Sequence, residues 1–373
     1  MLYAHITGWG VAIPEKVLTN DDLAQMVDTS DEWIQSRTGI VERRIAAPEE
    51  STATLAADAA LKALEIANVN PAEVDLIIVS SSSPEHIFPA TATLVQDSIG
   101  AARAGAFDLS AACTGFIYAL DMAAQAIRTG SVKTAVVIGS ETLSRFVNWE
   151  DRNTCILFGD GAGAFVLQGS EKPGGILSGV LRADGSGADL LSVPAGGSRH
   201  PTTQETLDAG LHLIQMNGRA VFRFATRVMA QATLAAAEKS QIEVGDIDWV
   251  VPHQANQRII DAAARNLKLP VDRFVVNLSR FGNTSTASIP LAAVEAIEDG
   301  RIQPGDKVVF VGFGGGLTWG ALAAEWTGPL TDEDAAIVWP YRFNRLYSTY
   351  SRFRSKVLQV IRTIEGWIWG RQR

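Results

Sequence analysis

Cysteine is scarce in this 373-residue chain: Cys113 and Cys155 are the only two. Two cysteines cannot form the multi-bridge framework of small secreted domains, and they suit a reducing compartment. Long apolar runs are also missing, because runs such as "AVVIG" fall far short of the ~18 residues that span a bilayer. The first ten residues, MLYAHITGWG, lack the basic and apolar regions of a signal peptide, so we expect a cytoplasmic protein.

Basic residues are also in short supply over most of the chain, whose formal net charge is −9. Residues 330–373 hold 8 of the 32 Lys and Arg but 4 of the 41 Asp and Glu. This leaves 24 basic and 37 acidic residues, a net charge of −13, on residues 1–329. A body this acidic argues against nucleic acid as a partner, because nucleic-acid binding needs a basic stripe.

Apolar residues, in contrast, make up 47% of the chain, and turn-forming glycine and proline separate them into short runs. Runs such as "DLIIV" and "KVVFVG" have the character of fully buried strands. Alanine-rich stretches with helical spacing, such as "LAADAALKALEIA", lie between them. This alternation predicts an α/β fold with a large core.

The sequence also repeats itself. Four segments recur in the same order: 59–82 at 232–254, 107–115 at 276–285, 127–142 at 297–316, and 161–168 at 320–327. In the first pair, Asp75 and Asp248 occupy matching positions. Ordered echoes of this kind indicate a duplicated structural unit.

The repeat predicts the domain organisation. Each half is expected to form helix, strand, strand, helix, strand, strand, and each of the segments 107–115 and 276–285 should run from a strand through a turn into a helix. The predicted units are a first half over 1–172, a second half over 173–329, and an extension over 330–373. A site is expected where the two halves meet.

Cys113 is the first candidate for chemistry. It follows a predicted strand and opens a predicted helix, whose N-terminus should lower the pKa of the thiol. A thiolate there can attack a thioester carbonyl, and small neighbours such as Gly115 permit close approach. The alternative is a buried core cysteine without chemistry, which we also assign to Cys155, in a segment predicted as an apolar strand.

His253 and Asn283 are predicted at strand ends of the second half that match strand ends of the first half, and the Asn283 turn is the counterpart of the Cys113 turn. His253 follows a strand that ends at Pro252, on the sheet edge where sites of α/β proteins collect. Each residue has an ordinary alternative, a hydrogen-bonded core histidine and an Asx turn, but their positions allow both to converge with Cys113. No metal site is expected, because metal-ligand spacing is missing around His5, His86, His200 and His212.

Four motifs carry a family resemblance: "DLSAACTGF" around Cys113, "PHQANQRI" around His253, "NTSTASIPLA" from Asn283, and "GFGGGLTWG" at 312–320. Over residues 1–328 the chain resembles β-ketoacyl-[acyl-carrier-protein] synthase III, the initiating condensing enzyme of fatty-acid synthesis. The resemblance implies the thiolase fold, in which duplicated halves form a five-layered αβαβα arrangement. A C-terminal helical extension would be additional to that fold.

The resemblance also implies an activity. Cys113 would accept an acyl group from a short acyl-CoA, and malonyl-acyl carrier protein would then lose CO₂ and attack it. His253 and Asn283 would stabilise the enolate. The backbone N–H of Cys113 would form an oxyanion hole together with one backbone N–H of the turn formed by Gly314, Gly315 and Gly316. Acyl-CoA is a substrate in this scheme, and no cofactor is implied.

Binding residues follow from the resemblance where the motifs match. Residues implied to bind CoA are Trp33, Arg37, Thr38, Arg152, Phe222 and Asn256. Arg258 and Arg265 would contact an acidic carrier protein. The alternative is that both lie on a solvated helix face without a binding role, which would give the same sequence pattern. Asn153 stands where the family usually has glycine, which puts the backbone approach to CoA in doubt.

The acyl pocket is assigned by the same resemblance to Phe88 and Met216. Phe88 would reach across the axis of a homodimer and close the pocket of the neighbouring subunit, which favours a short primer. Ordinary dimer packing by Phe88 is the alternative.

The extension has an amphipathic pattern of its own. One helical stripe is apolar, formed by Phe343, Leu346, Tyr347, Tyr350, Phe353, Val357, Ile361, Ile364 and Ile368. Basic residues lie largely off that stripe, and two tryptophans follow it, at Trp367 and Trp369. Residues 340–369 therefore predict peripheral contact with a membrane or an acidic partner, with a helix packed on the body or across the dimer as the alternative.

Two other functions remain open on sequence grounds. A related condensing or acyl-transfer enzyme of a specialised polyketide or lipid pathway would share the same motifs, because its specificity depends on the shape of the tunnel. A non-catalytic acyl-CoA-binding protein would not need Cys113, His253 and Asn283 together.

Overall fold

The computed structural model of the chain describes residues 2–329 and 342–369. The remaining part of the predicted extension, residues 330–341 and 370–373, lies outside the described residues. The first half contains, in chain order, β1 (Tyr3–Ala12), β2 (Lys16–Thr19), α1 (Asn20–Ala24), α2 (Asp31–Thr38), β3 (Glu42–Ile45), α3 (Thr52–Ile66), β4 (Leu76–Ser80), α4 (Thr91–Ile99), β5 (Gly105–Leu109), α5 (Gly115–Arg128), β6 (Thr134–Glu141) and β7 (Gly161–Ser170).

The second half follows with a similar set of elements. It contains β8 (Gly175–Ala183), β9 (Leu191–Ser192), α6 (Gln204–Asp208), β10 (Gln215–Met216), α7 (Gly218–Lys239), β11 (Trp249–Pro252), α8 (Gln257–Leu267), α9 (Leu278–Phe281), α10 (Ser288–Glu298), β12 (Lys307–Gly314) and β13 (Thr318–Glu325). The extension forms one long helix, α11 (Arg342–Trp369).

The two large sheets repeat one topology. The first has the strand order β1-β7-β6-β4-β5, and the second has β8-β13-β12-β11. Each sheet contains a parallel pair, β4 with β6 in the first and β11 with β12 in the second, and the strand that follows β6 or β12 in the sheet, β7 or β13, is antiparallel. The strand alternation and the duplication predicted from the sequence are both present in this topology.

The repeated aspartates explain part of the sequence echo. The Asp75 carboxylate accepts the backbone N–H groups of Lys133 and Thr134, at 2.9 and 3.1 Å. In the second half, the Asp248 carboxylate accepts the N–H of Lys307 at 2.8 Å. Each aspartate therefore holds the start of the neighbouring parallel strand, and the same residue type is needed in both halves.

The elements stack in five layers, because each sheet is covered on both faces. Helices α5 and α10 lie between the sheets and contact both of them. Helices α3 and α4 cover the outer face of the first sheet, and α7, with α8 packed against it, covers the second. Alternate residues along a strand enter different cores: Ile77 and Val79 face α3, whereas Ile78 faces the central layer.

Two segments differ from the sequence prediction. The counterpart of β5 is reduced to a bridge between Phe274 and Val250, and the short helix α9 follows it, so 276–279 is not a strand. The segment around Cys155 is not a strand either, because the N–H groups of Thr154 and Cys155 bond to the carbonyl of Asp151 and curl the chain into turns. Cys155 itself is buried among core side chains, as predicted.

Helix α11 packs against α4 and α3 on the outside of the first half. The structure describes side chains for only part of this helix, and those of Phe343, Arg345, Arg352, Trp367, Ile368 and Trp369 lie outside the described residues. Among the described residues, none of the helices combines the length and the apolarity that crossing a bilayer requires.

Glycine fixes how closely α3 approaches the first sheet. A Cβ at Gly8 would lie 2.1 Å from the carbonyl oxygen of Ala63, and one at Gly10 would lie 2.5 Å from that of Ala59. Because these contacts are with backbone atoms of α3, no side-chain rotation can relieve them. The alanine-rich face of α3 and the glycines of β1 therefore form one close-packed contact.

We predict that Gly8→Ala lowers the free energy of unfolding by about 1–3 kcal/mol, since the new Cβ forces α3 away from β1. Gly245→Ala is the matched control, because nothing lies within 4 Å of the added Cβ. Thermal unfolding followed by circular dichroism measures both. Equal melting temperatures for the two variants would contradict the described packing of α3.

Candidate active site

Cys113 and Asn283 lie in equivalent turns. Each turn contains a non-glycine residue with positive φ, Ala112 at 45° and Ser285 at 47°, which begins a short 3₁₀ segment that leads into a helix. The first turn leads into α5 and the second into α10, and the two turns contact each other. The duplication therefore brings both sites to the boundary between the halves.

Gly314 allows the second half to reach the Cys113 turn. A Cβ on Gly314 would lie 2.6 Å from the backbone nitrogen of Cys113 and 3.0 Å from the side chain of Ala112. The Thr318 hydroxyl, one turn further on, donates a hydrogen bond to the Ala111 carbonyl at 2.9 Å. The Cys113 N–H and the glycine-rich 314–316 backbone are thus held side by side.

His253 is fixed from both ends. Its backbone N–H donates to the carbonyl of Val311 at 2.8 Å, which continues the pairing of β11 with β12. Its Nδ1 lies 2.7 Å from the hydroxyl of Ser288, the first residue of α10, and its ring makes an edge contact with Phe313 at 5.2 Å. The buried Nε2 has no hydrogen-bond partner among the described residues. This nitrogen is free to act on a substrate.

Asn283 forms the Asx turn that was the structural alternative, and this does not exclude chemistry. Its Oδ1 accepts the N–H of Ser285 at 2.9 Å. Its backbone is held as well, because its N–H donates to Leu157 at 2.8 Å and its carbonyl accepts the N–H of Gly159 at 3.0 Å. The turn engages the side-chain oxygen and makes no use of the amide N–H groups, which are the donors that Asn283 can offer to a substrate oxygen.

Three neighbouring cavities form a path into the molecule. An outer cavity of about 620 Å³ opens beside α2 and α7, and an inner one of about 410 Å³ lies behind Cys113. Between them is a chamber of about 140 Å³ lined by Cys113, His253, Asn283, Phe313 and Gly314. The chamber shares lining residues with both of the others, so the three candidate residues face one space on a continuous path.

Burial controls the protonation of Cys113 and His253 in the chamber. Burial raises the pKa of the Cys113 thiol to about 12, opposite in direction to the lowering expected from the helix N-terminus alone. Burial lowers the pKa of His253 to about 3. Both groups are therefore neutral at pH 7, and thiol deprotonation needs a nearby proton acceptor.

Glu141 is a residue of this region that the motifs did not single out. It ends the fully buried strand β6, and its carboxylate accepts hydrogen bonds from Ser83 Oγ at 2.5 Å and from Thr286 Oγ1 at 3.3 Å. Burial raises the pKa of Glu141. The sequence did contain a signal for Glu141, since it is a charged residue at the end of a mostly apolar strand. Its role is to tie the loop after β4 to the Asn283 turn.

The outer cavity is lined by part of the set that the resemblance implied for CoA. Trp33, Arg37, Thr38, Phe222 and Asn256 all line it. The Asn256 carboxamide donates to the carbonyl of Arg37 at 2.9 Å and joins α8 to α2. The Thr38 hydroxyl is already engaged within the chain, because it donates to the Ile34 carbonyl at 2.7 Å.

Two arginines, Arg37 and Arg152, lie against the Trp33 ring. The Arg152 guanidinium lies 5.2 Å from the Trp33 ring centre, and the Arg37 guanidinium lies 4.7 Å from it. Arg152 also forms an ion pair with Asp28 at 3.1 Å. Arg152 is thus held against Trp33 on one side and by Asp28 on the other. Asn153, the departure from the family pattern, binds Asp151 and does not have a positive φ.

Positive charge surrounds the outer cavity. Besides Arg37, its lining includes Arg219, Arg223 and Arg258, of which Arg219 and Arg223 were not found from the motifs. None of these four forms an ion pair within residues 2–329 and 342–369. Arg265 lines a smaller cavity of about 370 Å³ on α8, which Arg258 also lines. The mouth is thus a local basic patch on an acidic body.

The two residues assigned to the acyl pocket lie apart. Met216 lines the chamber and the outer cavity, on the mouth side of Cys113 rather than in the inner cavity. Phe88 is 84% exposed on the surface of this single chain, next to the similarly exposed Ile87. Within the described residues, no group of three or more His, Cys, Asp or Glu could hold a metal ion.

Comparisons with known proteins identify relatives of this chain. Two family models match the chain: 3-oxoacyl-[acyl-carrier-protein (ACP)] synthase III over residues 107–185, and its C-terminal part over residues 237–326. A curated β-ketoacyl-[acyl-carrier-protein] synthase III from Symbiobacterium thermophilum is 58% identical over 321 residues, which cover 86% of this chain and 97% of that protein.

Solved structures show the same fold. The 3-oxoacyl-[acyl-carrier-protein] synthase III of Aquifex aeolicus is 47% identical, with a TM-score of 0.80, and the match covers 87% of this chain and 100% of that one. A priming β-ketosynthase from a polyketide biosynthetic pathway is 35% identical, with a TM-score of 0.81 over 88% of this chain and 97% of its own. The predicted fold class, with its C-terminal helical addition, is confirmed.

We predict that alkylation of Cys113 by iodoacetamide accelerates about tenfold per pH unit between pH 6 and pH 9, because the thiolate fraction keeps rising below a pKa of about 12. Peptide mass spectrometry measures the rate at Cys113 alone. A rate that levels off below pH 8 would show that the helix N-terminus outweighs burial. Circular dichroism over the same pH range checks that the fold is intact.

Proposed function

The chain belongs to the β-ketoacyl-[acyl-carrier-protein] synthase III family, and we propose that Cys113, His253 and Asn283 carry out the reaction of that family in the chamber. The enzyme condenses an acyl-CoA with malonyl-acyl carrier protein, whose malonyl group loses CO₂, and so initiates fatty-acid synthesis. The observation that carries the residue assignment is that all three side chains line one cavity between a basic mouth and an inner pocket.

The first half-reaction transfers the acyl group to Cys113. The neutral His253 accepts the thiol proton on its free Nε2 while the sulfur attacks the thioester carbon. The developing oxyanion lies between the Cys113 N–H and the 314–316 backbone, where a single donor typically contributes about 3 kcal/mol. CoA then departs as a thiol, taking the proton from His253.

The second half-reaction is the condensation. Malonyl-acyl carrier protein loses CO₂, and the enolate oxygen that forms accepts hydrogen bonds from the Asn283 amide and from His253 Nε2–H. The enolate carbon attacks the acyl-cysteine, the C–S bond breaks, and the Cys113 thiolate takes up a proton from solvent. The overall reaction consumes one proton and requires no cofactor.

Ser288 allows His253 to serve both steps. The Ser288 hydroxyl lies 2.7 Å from His253 Nδ1 and donates to the Ser285 carbonyl at 2.8 Å. In this arrangement Nδ1–H donates to Ser288, and Nε2 is the proton acceptor that acylation needs. If the Ser288 proton turns to Nδ1, Nε2 carries the hydrogen, as condensation needs.

The acyl group of the primer is proposed to occupy the inner cavity, whose lining includes Leu143, Phe146 and Ile214. A large aromatic ring as exposed as Phe88 is expected at an interface rather than in solvent. We therefore propose a homodimer in which Phe88 closes the inner cavity of the neighbouring subunit and restricts the primer to a short acyl chain.

The basic mouth is proposed to receive both CoA and the carrier protein. Trp33, with Arg37 and Arg152, would bind the adenine and phosphates of CoA, and Thr38 would line their path. Phe222 and Asn256 would line the path of the pantetheine arm. Arg258, which lies 5.2 Å from the Phe222 ring, and Arg265 would contact the acidic carrier protein, together with Arg223.

Three further proposals concern the setting of the enzyme. The scarcity of cysteine supports a cytoplasmic location. Helix α11 is proposed to make peripheral contact with a membrane through the stretch 340–369. A second candidate function, condensation in a specialised polyketide pathway, is favoured by the likeness to the priming β-ketosynthase. Product analysis with a panel of acyl-CoA primers and both kinds of carrier protein tests it.

We predict that Asn283→Ala leaves acylation of Cys113 measurable but lowers decarboxylative condensation at least 100-fold, because one of two donors to the enolate oxygen is lost. Radiolabelled acetyl transfer measures the first step, and CO₂ release from malonyl-acyl carrier protein measures the second. Intact acylation also shows that the variant is folded. Equal loss of both half-reactions would contradict the assigned role.

We predict that Arg223→Glu raises KM for malonyl-acyl carrier protein about tenfold, or ~1.4 kcal/mol, with little change in kcat. Lys133→Glu is the matched control, since it makes the same charge change on an exposed residue just before β6, at the N-terminal end of that strand. Steady-state kinetics at low and high salt measure both variants. An equal rise in KM for the two variants would show that net charge, rather than the mouth, governs docking.

A further inference from the structure

Helix α11 lies outside the part of the chain that the family explains. The C-terminal family model ends at residue 326, and the Symbiobacterium relative is matched over 97% of its own length without α11 being needed. At 1.5 Å per residue, the helix is about 42 Å long. Its role must therefore be inferred from its own side chains.

The face of α11 that packs on the body is small and polar. The Ser348 hydroxyl donates to the carbonyl of Ser98 at 3.2 Å, and the Ser351 hydroxyl donates to the carbonyl of Asp97 at 3.5 Å. The Ser355 hydroxyl bonds to the Asp97 carboxylate. One turn of α11 after another is thus anchored to the C-terminal end of α4 through hydroxyl groups.

Tyr347 adds the aromatic part of this contact. A Cβ at Gly100 would lie 3.0 Å from the Tyr347 ring and 3.1 Å from the Ser351 side chain, so α11 approaches Gly100 closely. Tyr347 is the member of the predicted apolar stripe that turns toward the body. The stripe as a whole faces elsewhere.

The opposite face of α11 is apolar and exposed. Between 42% and 66% of the surface is exposed for Leu346, Tyr350, Phe353, Val357, Val360, Ile361 and Ile364. On a helical projection of 100° per residue these seven fall within about 100° of one another, and the serine anchors lie on the other side. A helix that packed on the body through its apolar stripe would bury that stripe. Helix α11 packs through its serine face instead and presents the stripe outward.

Unpaired cations flank the exposed stripe. Arg354 and Lys356 project on its two sides, Arg362 lies nearer the serine face, and all three are exposed. Within the part of the chain that the structure describes, none of them forms an ion pair. By sequence, α11 carries six basic residues and a single acidic one, Glu365, whereas residues 1–329 have a net charge of −13.

We infer that α11 is a lipid-surface helix, which lies in the plane of a membrane containing anionic lipid, with the Leu346–Ile364 stripe among the acyl chains and the basic residues at the head groups. An exposed apolar face with flanking Lys and Arg is the pattern of a helix in the membrane interface. The acidic body would be repelled by such a surface, so a local basic segment is what brings it there.

A second copy of the chain is the competing occupant, and charge argues against it. Leu346, Tyr350, Phe353, Val357, Val360 and Ile364 follow a heptad spacing that would also suit a coiled coil. The flanking positions of such a pair would be filled by Arg354 and Lys356 from both copies. Coiled coils pair opposite charges at these positions, whereas this helix offers one sign only.

The inference deepens the proposed membrane contact, and its test does not depend on the condensation chemistry. The full chain is mixed with vesicles of phosphatidylcholine alone, or of phosphatidylcholine and phosphatidylglycerol in equal parts, and sedimented. We expect binding to the anionic vesicles only, and its loss in 1 M salt, where the Debye length falls to about 3 Å. Equal binding to both vesicle types, or to neither, would overturn the inference.

Variants separate the contribution of the basic residues from that of the apolar stripe. Arg354→Gln with Lys356→Gln should weaken partition into anionic vesicles about 25-fold, because each cation near such a surface contributes roughly fivefold. Phe353→Ser with Val360→Ser should reduce partition at least tenfold. Val271→Ser, at an exposed apolar residue in the second half, is the matched control and should leave partition unchanged. Equal partition of the control and the stripe variant would overturn the role of α11.

Two further measurements complete the test. Condensation with substrates in solution should be unchanged in every variant, so a failure of the catalytic assignment would appear in this assay and not in sedimentation. Light scattering should give the same particle mass for the wild type and for Phe353→Ser with Val360→Ser. A lower mass for that variant, without vesicle binding by the wild type, would show that the stripe joins two copies of the chain.

Discussion

The chemistry proposed for this protein depends on two helix N-termini that meet between two sheets. Helices α5 and α10 form the central layer and contact both sheets, so the turns that precede them are held against each other. The first turn carries Cys113, and the second carries Asn283 and leads into Ser288, which holds His253. If either helix shifted along its axis, the chamber of about 140 Å³ would no longer be lined by all three residues.

The same burial that aligns these groups sets their charge. A solvated thiol at a helix N-terminus would gain acidity, but the Cys113 thiol is desolvated, and burial raises its pKa to about 12. Burial also keeps His253 neutral, with a pKa of about 3. Cys113 and His253 are therefore both neutral at rest, and in the proposed mechanism the charge that develops on a substrate oxygen meets donors already in place. A neutral resting site also costs less to bury than an ion pair would.

Much of this could be read from the sequence. The repeat predicted the duplicated sheets, and the repeated Asp75 and Asp248 each accept the N–H of the first residue of the neighbouring parallel strand, Thr134 or Lys307. The turns of Cys113 and Asn283 were predicted to be equivalent, and they are. What could not be predicted depends on long-range packing: the raised pKa of Cys113, the partner of His253 at Ser288, the carboxylate of Glu141, and the reduction of the last strand of the second sheet to a single bridge.

The extension shows a further limit of sequence patterns. Its helical spacing predicted an amphipathic helix, and α11 is one, but spacing could not say which face would meet the body. Packing through Ser348, Ser351 and Ser355 turns the apolar stripe outward, because these small side chains fit closely against the end of α4.

The covalent acyl-cysteine intermediate is the central claim about this enzyme. Mass spectrometry of the enzyme after mixing with acetyl-CoA should show one acetyl group per chain on the Cys113 peptide, and malonyl-acyl carrier protein should remove it in a single turnover while acetoacetyl-acyl carrier protein appears. An acetyl group on any other residue, or one on Cys113 that malonyl-acyl carrier protein does not discharge, would contradict the account.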